Sequence, residues 1–181
     1  MSWIDTFLGG GPEYAAEDWL VADMQNLLAQ ACLGAGLPTR QAEDMAGMSA
    51  LLMSDPKLFA IAVAALEPPH FAVRAEGTTE HLVIESARIV MAASVMTDAF
   101  ADGASRVVLH DLDWPQLVWP VLLQAENFFG CGFAIDRPDA RTVMVSRSRS
   151  RLKPLGEPQP VPLVPLAQLH RLAAKARLSR G

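Results

Sequence analysis

His110, Asp111 and Asp113 close a short apolar segment, Arg106–His110, and stand directly before Trp114-Pro115. An imidazole beside two carboxylates can pass protons as acid and base, or hold a cation. The position suits either task, because ligands of open α/β sheets sit beyond the carboxyl ends of strands. Trp114 would add an apolar wall. A bland reading competes: an aspartate just ahead of Trp114-Pro115 has the form of a helix cap. The cap carries more weight, so His110, Asp111, Asp113 and Trp114 are ligand-binding candidates and no catalytic residue is assigned.

Arg147, Arg149 and Arg151 alternate with serines. On an extended strand this spacing puts three guanidinium groups on one face, suited to phosphate or carboxylate. Nucleic acid would call for stacking aromatics, and none occurs between Ala134 and Gly181. A solvated edge or an acidic partner surface is the preferred reading of these anion-binding candidates. His81 and Glu85 share a face but have no second histidine nearby, so they read as a solvated pair. Trp114, Trp119, Phe128 and Phe129 lie within one expected helix, 114–129. They either line a pocket or pack the core, and core packing is preferred. Dinucleotide, phosphate-loop, zinc-protease and serine-hydrolase motifs are all missing. No metal and no cofactor is implied.

The elements that would position these residues belong to one domain. The chain has 181 residues, 51 % of them apolar, with a mean hydropathy of +0.20. That length can bury a core without staples. The uncharged run Ile89–Thr97 is far too short for a membrane span, and the first residues lack the form of a secretory signal. Cys32 and Cys131 are distant from one another, which suggests two buried thiols in a reducing cytoplasm. The apolar excess with few aromatics points to a homo-oligomer, most simply a dimer, or to a protein partner. Charge is split: residues 1–140 hold 6 Lys/Arg against 19 Asp/Glu, and residues 141–181 hold 9 against one. A basic arm lying on an acidic body is preferred over a nucleic-acid tail, since an acidic body repels phosphate.

Residues 1–16 read as a mobile arm with a docking tag of Trp3, Ile4, Phe7 and Leu8. A single α/β domain spans 17–153, and a proline-rich linker leads to a last helix within 154–181. Leu20, Met24, Leu27, Leu28 and Ala31 recur at helical spacing, and Gly34 and Gly36 end that helix. A second helix starts at Thr39, with Gly47 offering close approach to another backbone. A third, Pro56–Leu66, is capped by Asp55. His70–Ala75 alternates like a strand that turns at Glu76–Thr79. Residues 82–101 fit either one helix or, by preference, a strand to Ala92 and a helix Ser94–Ala101 capped by Ser94. Pro120 kinks the 114–129 helix or marks its true start. Phe133–Asp136 and Thr142–Ser146 flank Arg137-Pro138-Asp139-Ala140 as a hairpin. The last helix, Leu166–Leu178, should dock on another subunit or on its own domain, because so short a helix is marginal alone.

Two stretches carry a resemblance: ACLGAGLPTRQAEDMAGMSALL, within Met24–Met53, and ASVMTDAFADGASRVVLHDLDWP, Ala93–Pro115. They resemble the bacterial family known as domain of unknown function 3726. That family similarly shows a helix, a Gly-Ala-Gly-Leu-Pro turn, an acidic-alanine helix, and a strand ending before Asp-x-Pro. The likeness covers roughly a third of the chain. The chain departs from the family in its short middle and in its C-terminus, which lacks a Tyr-containing segment. The resemblance implies a cytoplasmic bacterial protein, and it transfers no activity, cofactor or catalytic residue.

The expected architecture is therefore α/β or α+β: an N-terminal helical cluster, a mixed four- to five-stranded sheet with helices, and a C-terminal helical arm. The expected function is that of a non-catalytic accessory or assembly protein acting as an oligomer. The alternatives are a small-molecule-binding protein or enzyme at the end of the 106–110 strand, and nucleic-acid binding through the basic arm.

Overall fold

The computed structural model describes residues 13–15, 19–78, 80–85 and 88–178. Within them a mixed five-stranded sheet and seven α-helices form an α/β fold. The docking tag of Trp3, Ile4, Phe7 and Leu8 lies outside the described residues.

Four helices come first: α1 (Val21–Gly34), α2 (Thr39–Gly47), α3 (Ser49–Met53) and α4 (Pro56–Ala65). Met24, Leu27, Leu28, Ala31 and Cys32 bury one stripe of α1, each leucine contributing about 1.5–3 kcal/mol. Gly36, at φ 89°, turns the chain out of α1, and Leu37 N–H closes the turn on Cys32 O at 3.0 Å. The expected second helix is divided at Met48. Asp55 caps α4 by accepting from Lys57 N at 2.8 Å and Leu58 N at 3.4 Å.

The sheet order is β1-β2-β3-β5-β4. Strands β1 (Arg74–Gly77) and β2 (His81–Glu85) are antiparallel, and β2 runs parallel to β3 (Arg106–Leu109). Helix α5 (Ile89–Ala101) makes the crossover between these parallel strands. Antiparallel β5 (Val143–Ser148) and β4 (Gly132–Asp136) complete the sheet as the expected hairpin. Its turn is held by Asp139, which accepts from Arg141 N (2.8 Å) and Thr142 N (2.7 Å). Those donors, the Arg141 N–H first, hold the Asp139 carboxyl below its ordinary pKa. Helix α6 (Val118–Phe129) follows a 3-10 turn at Pro115–Leu117. Pro120 thus sits in the first turn of α6, where its missing N–H costs nothing.

Three expectations about elements are corrected. The strand placed at His70–Ala75 forms at Arg74–Gly77, with every residue exposed at a sheet edge. The preferred strand to Ala92 stops at Glu85, and Ile89 and Val90 lie in α5. Their β-branched propensity is a fraction of a kcal/mol per residue, and burial on a helix outweighs it: both are at most 2 % exposed. Ser94 is buried inside α5, donating to Met91 O at 3.4 Å and accepting from Gln41 Nε2 at 3.2 Å, so it is no cap.

The last helix, α7 (Leu163–Leu178), docks on its own chain. Leu166, Leu169, Leu172, Ala173 and Ala176 form its buried stripe. A Cβ built on Gly34 would sit 2.8 Å from the Leu172 carbonyl carbon and closer still to its oxygen, so α7 crosses α1 at backbone contact. Gly34 therefore does what was expected of Gly47, whose neighbour is the Gln124 side chain. The proline-rich segment lies on the body too: Gln159 N donates to Met53 O (2.8 Å) and its side-chain nitrogen to Ser54 O (3.1 Å). The end of the N-terminal arm is likewise held, with Ala15 N bonded to Val161 O and Leu163 N to Glu13 O. Buried residues of all seven helices and of β2, β3, β4 and β5 join in one core.

Candidate functional site

The turn after β3 holds the four ligand candidates, and it is under backbone strain. Asp111 (φ 53°) and Trp114 (φ 50°) are both left-handed without being glycine, which costs of order 1–3 kcal/mol each and persists only where the surroundings impose it. The surroundings do so at several points. Leu112 is buried and its N–H bonds Arg141 O at 2.8 Å. Asp111 pairs with Arg141 at 2.7 Å, and Arg137 Nη2 donates to Pro115 O at 3.0 Å.

The three polar candidates diverge. His110 Nδ1 lies 3.3 Å from Thr142 Oγ1, just before β5, whereas Asp111 faces Arg141. Asp113 turns the other way: its Oδ1 accepts from Ile89 N at 2.9 Å, and its Oδ2 forms an ion pair with Arg88 Nε at 3.1 Å. It is thus a helix cap, but for α5, which starts 24 residues earlier, not for the helix after it. A free N–H at that helix start, beyond the carboxyl ends of β2 and β3, is where an anionic ligand would bind. The protein fills it with its own carboxylate.

Arg88 also donates to Glu67 O (2.5 Å) and Pro69 O (2.8 Å), and His70 Nε2 bonds Leu66 O at 3.0 Å. The cluster ties the α4–β1 connection to the start of α5. Burial pushes the Asp113 carboxyl up in pKa, outweighing the pull of the Ile89 N–H and Arg88. Burial pushes His70 down, with the Arg88 charge acting the same way, against the Leu66 bond and Asp113. Among the described residues His70 Nδ1 has no partner, and Nε2, facing the Leu66 carbonyl, carries the proton of the imidazole.

A pH dependence follows from this lowered pKa. The folded state prefers neutral His70, so the stabilisation is full above the unfolded value near 6.5 and is lost as pH falls through the lower folded value. His70→Gln should lose less melting temperature than the parent between about pH 7.5 and 5. Parallel melting curves across that range would refute the assignment.

The arginine candidates are also separated. Arg147 donates from Nε to Ala104 O at 3.2 Å, from Nη2 to Phe100 O, and from Nη1 to Cys131 Sγ at 3.7 Å. It therefore adds a donor to one carbonyl in the last turn of α5, Phe100 O, and holds the Ala104 carbonyl just beyond that helix. Strand β5 ends at Ser148, leaving Arg149 and Arg151 beyond it. The one-face array expected from the alternation does not form. Cys32 is buried, its thiol pushed up to about 12, whereas Cys131 is only half-buried, contrary to expectation. Among the described residues no group of three or more His, Cys, Asp or Glu could hold a metal ion, and no helix is long and apolar enough to cross a membrane.

Two clefts involve the aromatics. One of about 520 Å³ includes Trp119, Lys153, Leu155 and Ser54, with Trp119 Nε1 bonded to Lys153 O at 3.2 Å. The other, about 380 Å³, lies between α2, α5 and α6 and includes Arg40, Asp44, Asp98, Phe128 and Phe129. Trp114 and Phe129 are half-buried against the core as preferred, Phe129 also lining the second cleft, whereas Trp119 lines the first cleft and Phe128 stands exposed. Sequence reasoning missed Arg88, His70 and Arg141 at the first site and the acidic end of the second. Only the helical i, i+4 spacing of Arg40 and Asp44 was legible, since Asp98 joins them across 58 positions.

No family model, no curated protein and no solved structure matches this chain.

Proposed function

We propose that the chain is a non-catalytic accessory or assembly protein of the bacterial cytoplasm that acts as an oligomer. The observation that carries this reading is Asp113, whose carboxylate occupies the α5 N-terminus where the ligand of an open α/β sheet would sit. The other polar candidates hold structure as well: Asp111 holds Arg141, and Arg147 caps α5. Large apolar side chains meanwhile stand on the surface, Phe128 and Leu178 at 83 % exposure, Leu20 and Phe71 at 68 %. Such groups are suited to contact with another chain. The bacterial assignment rests on the resemblance to domain-of-unknown-function family 3726, and the two unpaired cysteines agree with a reducing compartment.

Ligand binding at the end of β3 is the second reading, favoured by the two left-handed residues Asp111 and Trp114. Native mass spectrometry separates the two. The assembly reading expects one defined oligomer, and a monomer at every concentration would overturn it. The second reading expects a stoichiometric small mass that disappears on denaturation and in Asp111→Asn.

A further inference from the structure

The cleft between α2, α5 and α6 has a chemical polarity that no role described above uses. Its floor is apolar, built from buried Met48, Ala93, Val121 and Ala125. Phe128 stands exposed at the rim, its ring edge-on to Phe129 with centroids 5.1 Å apart. The volume, about 380 Å³, falls at the small end of the range for sites that hold small molecules, about 300–1,000 Å³.

The other end of the cleft carries two carboxylates against one guanidinium. Arg40 is bonded to Asp98. Asp44, one helical turn from Arg40, makes no side-chain hydrogen bond or ion pair among the described residues. Burial pushes the Asp44 carboxyl up; Arg40 pulls it down, and the charges of Asp98 and Glu43 push it up again. A half-desolvated carboxylate is costly when charged and unpaired, and here it adjoins an apolar hollow walled by two aromatic rings.

An anion would meet a net negative charge here, two carboxylates against Arg40 alone, and a neutral guest would leave Asp44 without a partner among the described residues. A cation satisfies both, and the aromatic faces attract it further. We propose that this cleft binds a small primary amine with an aromatic or aliphatic body. The ammonium sits at Asp44 and Asp98, and the body lies against Phe128 and Phe129. This site is separate from the turn after β3 and does not depend on the oligomeric reading.

The test is calorimetric titration of the full chain with three probes of one shape: 2-phenylethylamine, phenylacetate and 2-phenylethanol. The amine is expected to bind at least about tenfold tighter than either of the others. Asp44→Asn, which keeps the side chain's size, should remove most of that advantage and leave the affinity for 2-phenylethanol unchanged. Arg40→Gln should tighten the amine by a few fold, since it removes the competing cation. Equal affinity for the three probes, no heat with the amine, or an Asp44→Asn variant that binds it as the parent does would each overturn the proposal. Failure here leaves the oligomer mass untouched, so the two readings fall separately.

Discussion

Gly34→Val is expected to destabilise the protein by about 3 kcal/mol or more, seen as a lower urea midpoint with an unchanged slope. Gly34 ends α1 at the point where α7 passes so closely that a Cβ would overlap the Leu172 carbonyl. The obstacle is helix backbone, which cannot swing aside as a side chain does. Relief requires moving α7 outward, and that loosens the contacts of Leu169, Leu172 and Ala173 with α1. The alanine variant gives the sharper sign. At an ordinary helix position Gly→Ala stabilises by about 1 kcal/mol, whereas here overpacking of about 1–3 kcal/mol should win. A chain stabilised by Gly34→Ala would mean that α7 does not rest on α1 in solution.

Glu126→Ala should cost about 3–5 kcal/mol. Glu126, on α6, is 3 % exposed, and one of its oxygens accepts two backbone donors, Phe133 N at 3.1 Å and Leu152 N at 2.9 Å. Phe133 lies at the start of β4, and Leu152 follows the end of β5. The carboxylate thus gathers both strand ends onto α6, in place of a further rung of sheet. Alanine strands both N–H groups, each at about 1–3 kcal/mol. Glu126→Gln keeps a carbonyl oxygen in the same place and should lose only about 1 kcal/mol. Equal losses in the two variants, read from urea midpoints, would show that the site needs the charge instead of the acceptor. No loss in either would refute the clamp.

Several elements are written locally and are legible in the sequence alone. The Asp55-Pro56 cap, the Arg137–Ala140 turn and the buried stripes of α1 and α7 each depend on residues within about one or two turns of each other. So does the hairpin that Asp139 pins through Arg141 and Thr142. Local bonds of this kind form at short chain separation, so residue type and spacing determine them.

Tertiary structure decided the rest, and the candidate site most of all. Ile89 and Val90 carry strand propensity, yet burial, worth several times that propensity, makes them helix. Asp113 was readable as a cap, but which helix it caps depended on β2 and β3 lying side by side in parallel. The arginine alternation foretold a shared face, and Arg147 instead turned to the Phe100 carbonyl in the last turn of α5. Glu126 and Asp44 look, in sequence, like solvated helix charges. Only packing reveals that one is a buried acceptor and the other a half-buried carboxylate beside a hollow. A side chain's partner across fifty positions is set by which surfaces bury each other, and residue spacing holds no record of that choice.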